Sequence, residues 1–311
     1  MPAAGRHQSP TDGHASDGLV VAAHGRRGIL DRSGRRHPFQ IQGRRLRPVC
    51  GDLVTAEARP GSETLIVTGI VPRRNQLARE PQRPSNAEVL AANLTRIVVV
   101  CAPRPAPDLM LLDRYLCAAE LMGCEPAVIW NKSDLEPAPR DLADEVCRLG
   151  YPFLALSAHG SAQPDGLPAL LRGHTSILVG QSGVGKSSLA NALVPTAGAD
   201  VGDLSGHSGT GTHTTTAVLM YRLACGGWLV DAPGVRSFVP AIDSGAHVAD
   251  GFVDVRAQAQ GCRFTDCQHV EEPGCAVKAA VAAGTLGRRR YASYCELLAA
   301  ATRTRTAHPA R

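Results

Sequence analysis

The chain contains no apolar run approaching the ~18–20 residues that a bilayer-spanning helix needs. That excludes such a helix and sets the expectation of no membrane partner. The first residues, "MPAAGRHQSPTDGHASDG", lack a charged segment followed by an apolar one. They do not read as a secretory signal, so a cytoplasmic location is expected. Their Gly/Pro/Ser/Asp-rich composition suggests disorder over 1–18. Lysine is scarce: three residues against 30 arginines. Wherever any cation serves, this chain uses Arg. Two of the lysines, Lys132 and Lys186, fall inside motifs where a compact ammonium on a slim stem suits the chemistry. The ten cysteines show no disulfide framework. Six (Cys50, Cys101, Cys117, Cys124, Cys147 and Cys225) are scattered, mostly in apolar segments, and read as buried free thiols. Three others cluster with a histidine, which in a cytosolic chain points to metal.

What is present is 311 residues, 44% hydrophobic and 20% charged, enough for two or three soluble domains. The net charge of +5 is unevenly spread: +7 over residues 1–84, −7 over 85–283 and +5 over 284–311. Basic ends around an acidic middle suit phosphate-rich partners such as nucleic acid. Solvated surface charge in an Arg-rich chain is the alternative.

Residues 19–75 read as five short strands, "GLVVAA", "GILD", "PFQIQG", "DLVTAEA" and "TLIVTGIV", with turn signals between them. That pattern predicts a small β-barrel of the OB-fold kind. The next stretch, polar and Pro-containing, predicts a linker, placed at 76–86. From residue 94 strands and helices alternate, which predicts an α/β layer with a largely parallel sheet over 87–240. In "LMLLDRYLCAAELMG", Leu112, Tyr115, Leu116 and Ala119 recur at helical spacing. Residues 241–311 form a last, mainly helical unit with a basic tail, its "RRRY" run read as exposed.

"GQSGVGKSS" matches G-x-x-x-x-G-K-[ST] between a β-rich run and a helix. Backbone N–H groups of Gly180, Gln181, Ser182, Gly183, Val184 and Gly185 can turn inward around phosphates at a helix N-terminus. Lys186 would reach the β- and γ-phosphates, and Ser187, followed by Ser188, would ligate Mg²⁺. "LVDAPG" places Asp231 and Gly234 where an acid can hold Mg²⁺ and an N–H can meet a γ-phosphate. Between them lies the Gly/Thr-rich "SGTGTHTTTA", in which Thr214 or Thr215 is a further Mg²⁺ candidate. "WNKSD" supplies a base reader. Asp134 can accept both the N1–H and exocyclic amine of guanine, a donor pair that adenine lacks. Asn131 would bond the base edge or brace the loop, and Lys132, followed by Ser133, would lie along the base. Ser157 and Ala158 end the next strand, where a backbone N–H can meet guanine O6. An N-K-x-D match is expected by chance roughly 0.003 times in a chain of this composition, so it is not an accident. An ATP-specific phosphate-loop protein is the distant alternative.

The base reader precedes the phosphate loop, the reverse of the ordinary GTPase order. Rotating the chain restores that order. A circular permutation moves termini without removing contacts, and "TRIVVVCA" can fill the sheet position that ordinarily comes after "DAPG". Farther on, "CRFTDCQHVEEPGC" spaces Cys262, Cys267, His269 and Cys275 as C-x₄-C-x-H-x₅-C. Three thiolates and an imidazole suit a closed, structural Zn²⁺ site. The segment around it offers little apolar bulk of its own, so it should depend on the metal.

Together, "PRRNQLAR", "LLDRYL", "NKSD", "GQSGVGKSSLAN", "THTTT", "DAPGVRSF" and "CRFTDCQH…EPGCAV…RYASY" resemble the RsgA family of circularly permuted GTPases, over residues 19–300. The resemblance implies an N-terminal OB-fold, a permuted G domain and a C-terminal zinc domain. It implies a monomer that binds the small ribosomal subunit and its rRNA late in assembly, with GTP hydrolysis stimulated by that subunit. His213 is implied as a catalytic candidate; packing or RNA contact is its alternative role. Two positions depart from the family pattern. Thr212 replaces a basic residue before H-T-T-T, and "HGSAQPDGL" lacks a Gly-x-Gly turn. Val235 comes after "DAPG" where other GTPases carry a water-orienting Gln, so slow intrinsic hydrolysis is expected. A nucleotide-gated RNA-binding module with little turnover would carry the same motifs.

Overall fold

The computed structural model describes residues 17–43, 45–79, 88–158, 165–194, 218–231 and 248–307. Five strands come first: β1 (Gly18–His24), β2 (Arg27–Arg32), β3 (Arg35–Ile41), β4 (Leu53–Ala58) and β5 (Leu65–Ile70). They run in the order β1-β2-β3-β5-β4, and β4 pairs back with β1, closing a barrel. Val20, Leu30, Phe39, Val54, Leu65 and Val67 fill its interior. The expected small barrel is therefore present, built from the five runs read in the sequence.

The barrel is continuous with the central sheet of the chain. A register shift between Val20 and Ala22 splits β1 into two working halves. The first half pairs with β4 through Gly18↔Val54 and Leu19↔Leu53. The second pairs with β12 (Val218–Arg222) through Ala22↔Leu219 and Ala23↔Val218. Bulges bend and re-aim a strand in this way. Val20 consequently packs inside the barrel while Val21 joins the core of the next unit.

Residues 76–79, placed in the linker by their polar surroundings, are a strand instead. β6 (Gln76–Arg79) pairs with β7 (Glu88–Ala92), and Leu77 is buried beneath the pair. Asn75 anchors it by donating to Leu94 O and Met122 O and accepting from Leu94 N. The Pro and Arg content hid these side-chain anchors.

The central sheet continues with β8 (Arg96–Cys101), β9 (Glu125–Trp130), β10 (Phe153–Ala155), β11 (Thr175–Val179) and β13 (Trp228–Asp231). Its order is β10-β9-β8-β11-β13-β12, parallel except for the β12–β13 hairpin. β8 lies beside β11, filling the expected place. Both sheet faces are covered, as parallel sheets require. Ile97, Val99 and Cys101 face α1 (Leu109–Leu121) and α2 (Arg140–Arg148), while Val98 and Val100 face α3 (Leu167–Leu171) and α4 (Lys186–Leu193). The predicted stripe of α1 is buried throughout. Of the six scattered cysteines, Cys50, Cys101, Cys117 and Cys124 are buried, and burial pushes each thiol up to about 12. Cys147 is exposed and Cys225 half-buried, because α2 and the β12–β13 turn lie at the surface.

The last unit begins with a 3-10 turn, Val248–Gly251, followed by α5 (Val253–Ala259), α6 (Ala276–Ala282) and α7 (Arg288–Ala307). It has a core after all: Phe252, Val255, Val277, Leu286, Tyr294 and Leu297 pack together, and Cys117 of α1 joins them. The turn rides directly on α1. A Cβ added to Gly251 would lie 2.4 Å from Cys117 Sγ. The "RRRY" run is only partly exposed. Arg290 is 1% exposed, with its guanidinium 4.7 Å over the Phe252 ring, and it donates to Asp113 (2.8 Å) and Asp254 (2.7 Å). Arg289 donates to Asp113 (2.6 Å) and to Glu145. A buried arginine needs such partners, and they come from elements far away in sequence. Among the described residues, no helix is long and apolar enough to cross a membrane.

Candidate nucleotide and metal sites

The sheet strands β8, β9, β10, β11 and β13 are parallel, so their C-terminal ends open on one edge. Crevices at such edges are where α/β sheets take ligands. Cys101, Trp130, Val179 and Asp231 end their strands here, and the sequence motifs begin where the strands stop.

The loop after β11 is shaped by glycines. Gly180 has φ 133°, and a Cβ there would lie 2.3 Å from Val100 O. Gly185 has φ 94°, and a Cβ would meet Asn131 Nδ2 at 2.2 Å. No other residue tolerates both the left-handed backbone and the close approach. Ser187 and Ser188 occupy the first turn of α4 behind Lys186. The Lys186 ammonium folds into the loop, donating to Gly180 O (2.8 Å) and Gln181 O (2.5 Å).

The base-reading loop is bolted to this phosphate loop. Asn131 donates from Nδ2 to Val184 O (2.8 Å), and its Oδ1 accepts from Ala158 N (3.3 Å). One buried amide thus joins three segments: 130–134, 157–158 and 180–188. The Asn131 side chain braces the loops. Lys132, at φ 60°, donates to Gly183 O (2.6 Å) and Arg104 O (2.8 Å). Ser133 N bonds Leu156 O, Leu135 N bonds Lys132 O, and Trp130 Nε1 bonds Glu136 O. These bonds hold Asp134 on an exposed turn. Asp231 lies at the end of β13, half-buried. Gly234, His213, Thr214, Thr215, Thr212 and Val235 lie outside the described residues.

Sequence reading missed one tie. Gln181 Oε1 accepts from Asp108 N (2.9 Å), and Asp108 caps α1 by accepting from Leu111 N. It also missed Asp113. That acid falls on the apolar stripe of α1, four residues after Leu109 and three before Leu116. An acid on a buried stripe demands a cationic partner, a signal available in "LLDRYL" itself.

The second site is the cysteine–histidine cluster. The ligand atoms of Cys262, Cys267, His269 and Cys275 lie within 4.8 Å of one another. Cys262 Sγ is 3.4 Å from His269 Nδ1 and 3.9 Å from Cys275 Sγ. Zn–S bonds of about 2.3 Å in a tetrahedron put sulfurs roughly 3.8 Å apart, so the donor set fits that ion. Burial holds His269 below the usual imidazole range, which keeps its lone pair available. Burial alone would raise Cys262, but the N–H groups of Ala276 and Val277 together with hydrogen bonds from Cys267 and Cys275 bring the thiol below its ordinary value. The loop is built around Glu272, which accepts from Gln268 N, Val270 N and Glu271 N; these bonds, with that from its own backbone N–H, lower its carboxyl to about 2. Tyr291 and Tyr294 of α7 donate to His269 O (2.6 Å) and Gln268 O (2.7 Å), fixing the cluster to the helix.

A phosphate loop, a base-reading loop and a shared sheet edge, in rotated chain order behind a five-stranded barrel, define a circularly permuted GTPase. A family model described as RsgA GTPase matches residues 70–240. The Small ribosomal subunit biogenesis GTPase RsgA of Pseudomonas putida is 40% identical over 291 residues, covering 91% of this chain and 84% of its own. That of Pseudomonas aeruginosa is 43% identical over 262 residues, covering 82% and 76%. The chain belongs to the RsgA GTPase family. Among solved structures, YjeQ from Thermotoga maritima superposes with a TM-score of 0.68 at 26% identity, over 91% of this chain and 97% of its own. YloQ, a circularly permuted GTPase, gives 0.68 at 24% identity over 99% and 100% and supports the fold.

Proposed function

We propose that this chain hydrolyses GTP while bound to the small ribosomal subunit late in its assembly, and that the subunit stimulates hydrolysis. The observation that carries the nucleotide reading is the Asn131 amide, which joins the base reader, the 157–158 backbone and the phosphate loop into one pocket edge. In this reading Asp134 selects guanine and the Ala158 N–H lies near O6. Residues 180–188 cradle the phosphates, with Lys186 as their central cation. Ser187 and Asp231, with Thr214 or Thr215, would hold Mg²⁺, which would supply charge neutralisation for the phosphates when bound with GTP. Cys262, Cys267, His269 and Cys275 would hold one structural Zn²⁺.

The partner reading rests on the names of the relatives and on charge. Arg26, Arg27, Arg35 and Arg45 are all exposed on the barrel, which suits a phosphate backbone. The unit boundaries near residues 75, 87 and 240, a cytoplasmic location and a monomeric state belong to the same reading. Val235 cannot orient water, so His213 or the subunit must do so, and turnover of the isolated chain is slow.

GTP turnover measured with and without purified small subunits tests this. Stimulation is expected; equal slow rates would leave a nucleotide-gated RNA-binding module instead. Asp134→Asn removes a charged acceptor and should weaken GTP binding about 10- to 100-fold while favouring xanthine nucleotides. Retained guanine selectivity in a competition assay would show the base reader to be misassigned.

A further inference from the structure

We propose that Gln181 is a positioning residue that ties the phosphate loop to the docking of the C-terminal unit, so that the dock sets nucleotide affinity. The inference rests on the nucleotide reading above. Gln181 works in two directions. Its backbone carbonyl takes the Lys186 ammonium at 2.5 Å, and its side-chain oxygen takes the Asp108 N–H at 2.9 Å. Asp108 is the cap of α1. Any shift of the helix start therefore reaches the acceptor that holds the phosphate-binding lysine.

The same helix carries the dock. Asp113 lies five residues beyond Asp108, about 7.5 Å along the axis. Its carboxylate is 1% exposed and takes Arg289 at 2.6 Å and Arg290 at 2.8 Å, both from α7. Arg289 reaches on to Glu145 of α2, and Arg290 to Asp254 of α5. Among the described residues, Arg290 Nη2 and Asp254 Oδ1 are buried without a hydrogen-bond partner. A buried network left partly satisfied stands to gain from rearrangement, so this junction is the place where docking geometry can change. About 1.4 helical turns separate it from the Gln181 tie. Nucleotide binding and docking thus share a single rigid element, and coupling between them must be reciprocal.

The test is a double-mutant cycle on the full chain, read by titration with a fluorescent GDP analogue. Gln181→Met keeps the side-chain length and removes the acceptor. Arg289→Ala loosens the dock while Arg290 keeps Asp113 paired. Each single change should weaken GDP binding about threefold to tenfold, and the double variant should be no weaker than the worse single. If Arg289→Ala fails to fold, Glu145→Gln weakens the same clamp and is read in the same cycle. Unchanged affinity on loosening the dock, or factors that multiply in the double variant, would overturn the coupling. A wild-type chain that bound no guanine nucleotide would instead overturn the nucleotide reading itself.

Discussion

The central sheet is joined to the barrel on one side and to the C-terminal unit on the other, by different means. On the barrel side the backbone is continuous: β1 pairs with β12, and Cys50 Sγ donates to Val218 O at 3.0 Å. Asn93 Nδ2 bonds Gly51 O, and Arg73 clamps the fully buried Asp52 at 2.7 Å. On the C-terminal side no strand pairing crosses among the described residues. Side chains do the joining, through Asp113, Arg289, Arg290, Asp254 and Glu145. Backbone ladders are satisfied in one register and resist graded change. Buried ion pairs balance a large desolvation cost against a large attraction. The barrel is thus welded to the sheet, and the C-terminal unit is docked.

The largest effect should come from the metal. On zinc-loaded protein, a strong chelator should remove a contribution on the order of 10 kcal/mol from the C-terminal unit. Helical circular dichroism and protease resistance should fall over residues 248–307 and persist in the barrel. Survival of the α7 signal would show that the Phe252–Tyr294 core suffices without metal. Next, Asp113→Ala leaves Arg290 buried with half its pairing and should cost about 3–5 kcal/mol. Hydrogen exchange should rise in α7 and not in β1–β5; a uniform rise would erase the distinction between weld and dock. Arg73→Ala should cost less, about 2–3 kcal/mol, because Asp52 keeps its bond from Val49 N. Urea denaturation reads it, and a larger loss than for Asp113→Ala would reverse the ranking of the two junctions. The smallest change is Arg79→Ala, which breaks an exposed pair with Glu88 on the β6–β7 hairpin. It should cost under about 1 kcal/mol, and a thermal shift of several degrees would show that the hairpin carries unsuspected load.

Much of the site was legible because its parts are contiguous. Glycines at 180 and 185, a lysine and a serine define a backbone shape that is decided locally, by which φ values each residue permits. The same holds for the four candidate metal ligands within fourteen residues, which need only one loop to meet. Even the permutation was readable, since motif order is a property of the chain itself. The errors share an opposite character. They concern the expected exposure of Arg290, the expected scarcity of apolar bulk in the C-terminal unit and the expected linker at 76–79. Each depends on partners distant along the chain: Asp113 for Arg290, Tyr294 and Leu297 for Phe252 and Val255, Leu94 and Met122 for Asn75.

Asn131 shows the boundary within one residue. The motif told that an amide stands beside the base reader and left two roles open. The bracing bonds themselves exist only through the approach of Val184 and Ala158. Sequence by itself determined the barrel strands, the rotated order of the nucleotide motifs and the metal-ligand spacing, because short-range sterics and side-chain chemistry set them. Tertiary structure alone decided that β1 serves two sheets, that Gln181 holds α1 and that Asp113 receives Arg289 and Arg290. Those pairings are selected by the cost of leaving a buried charge or backbone group alone, and that cost exists only once the chain has closed around it.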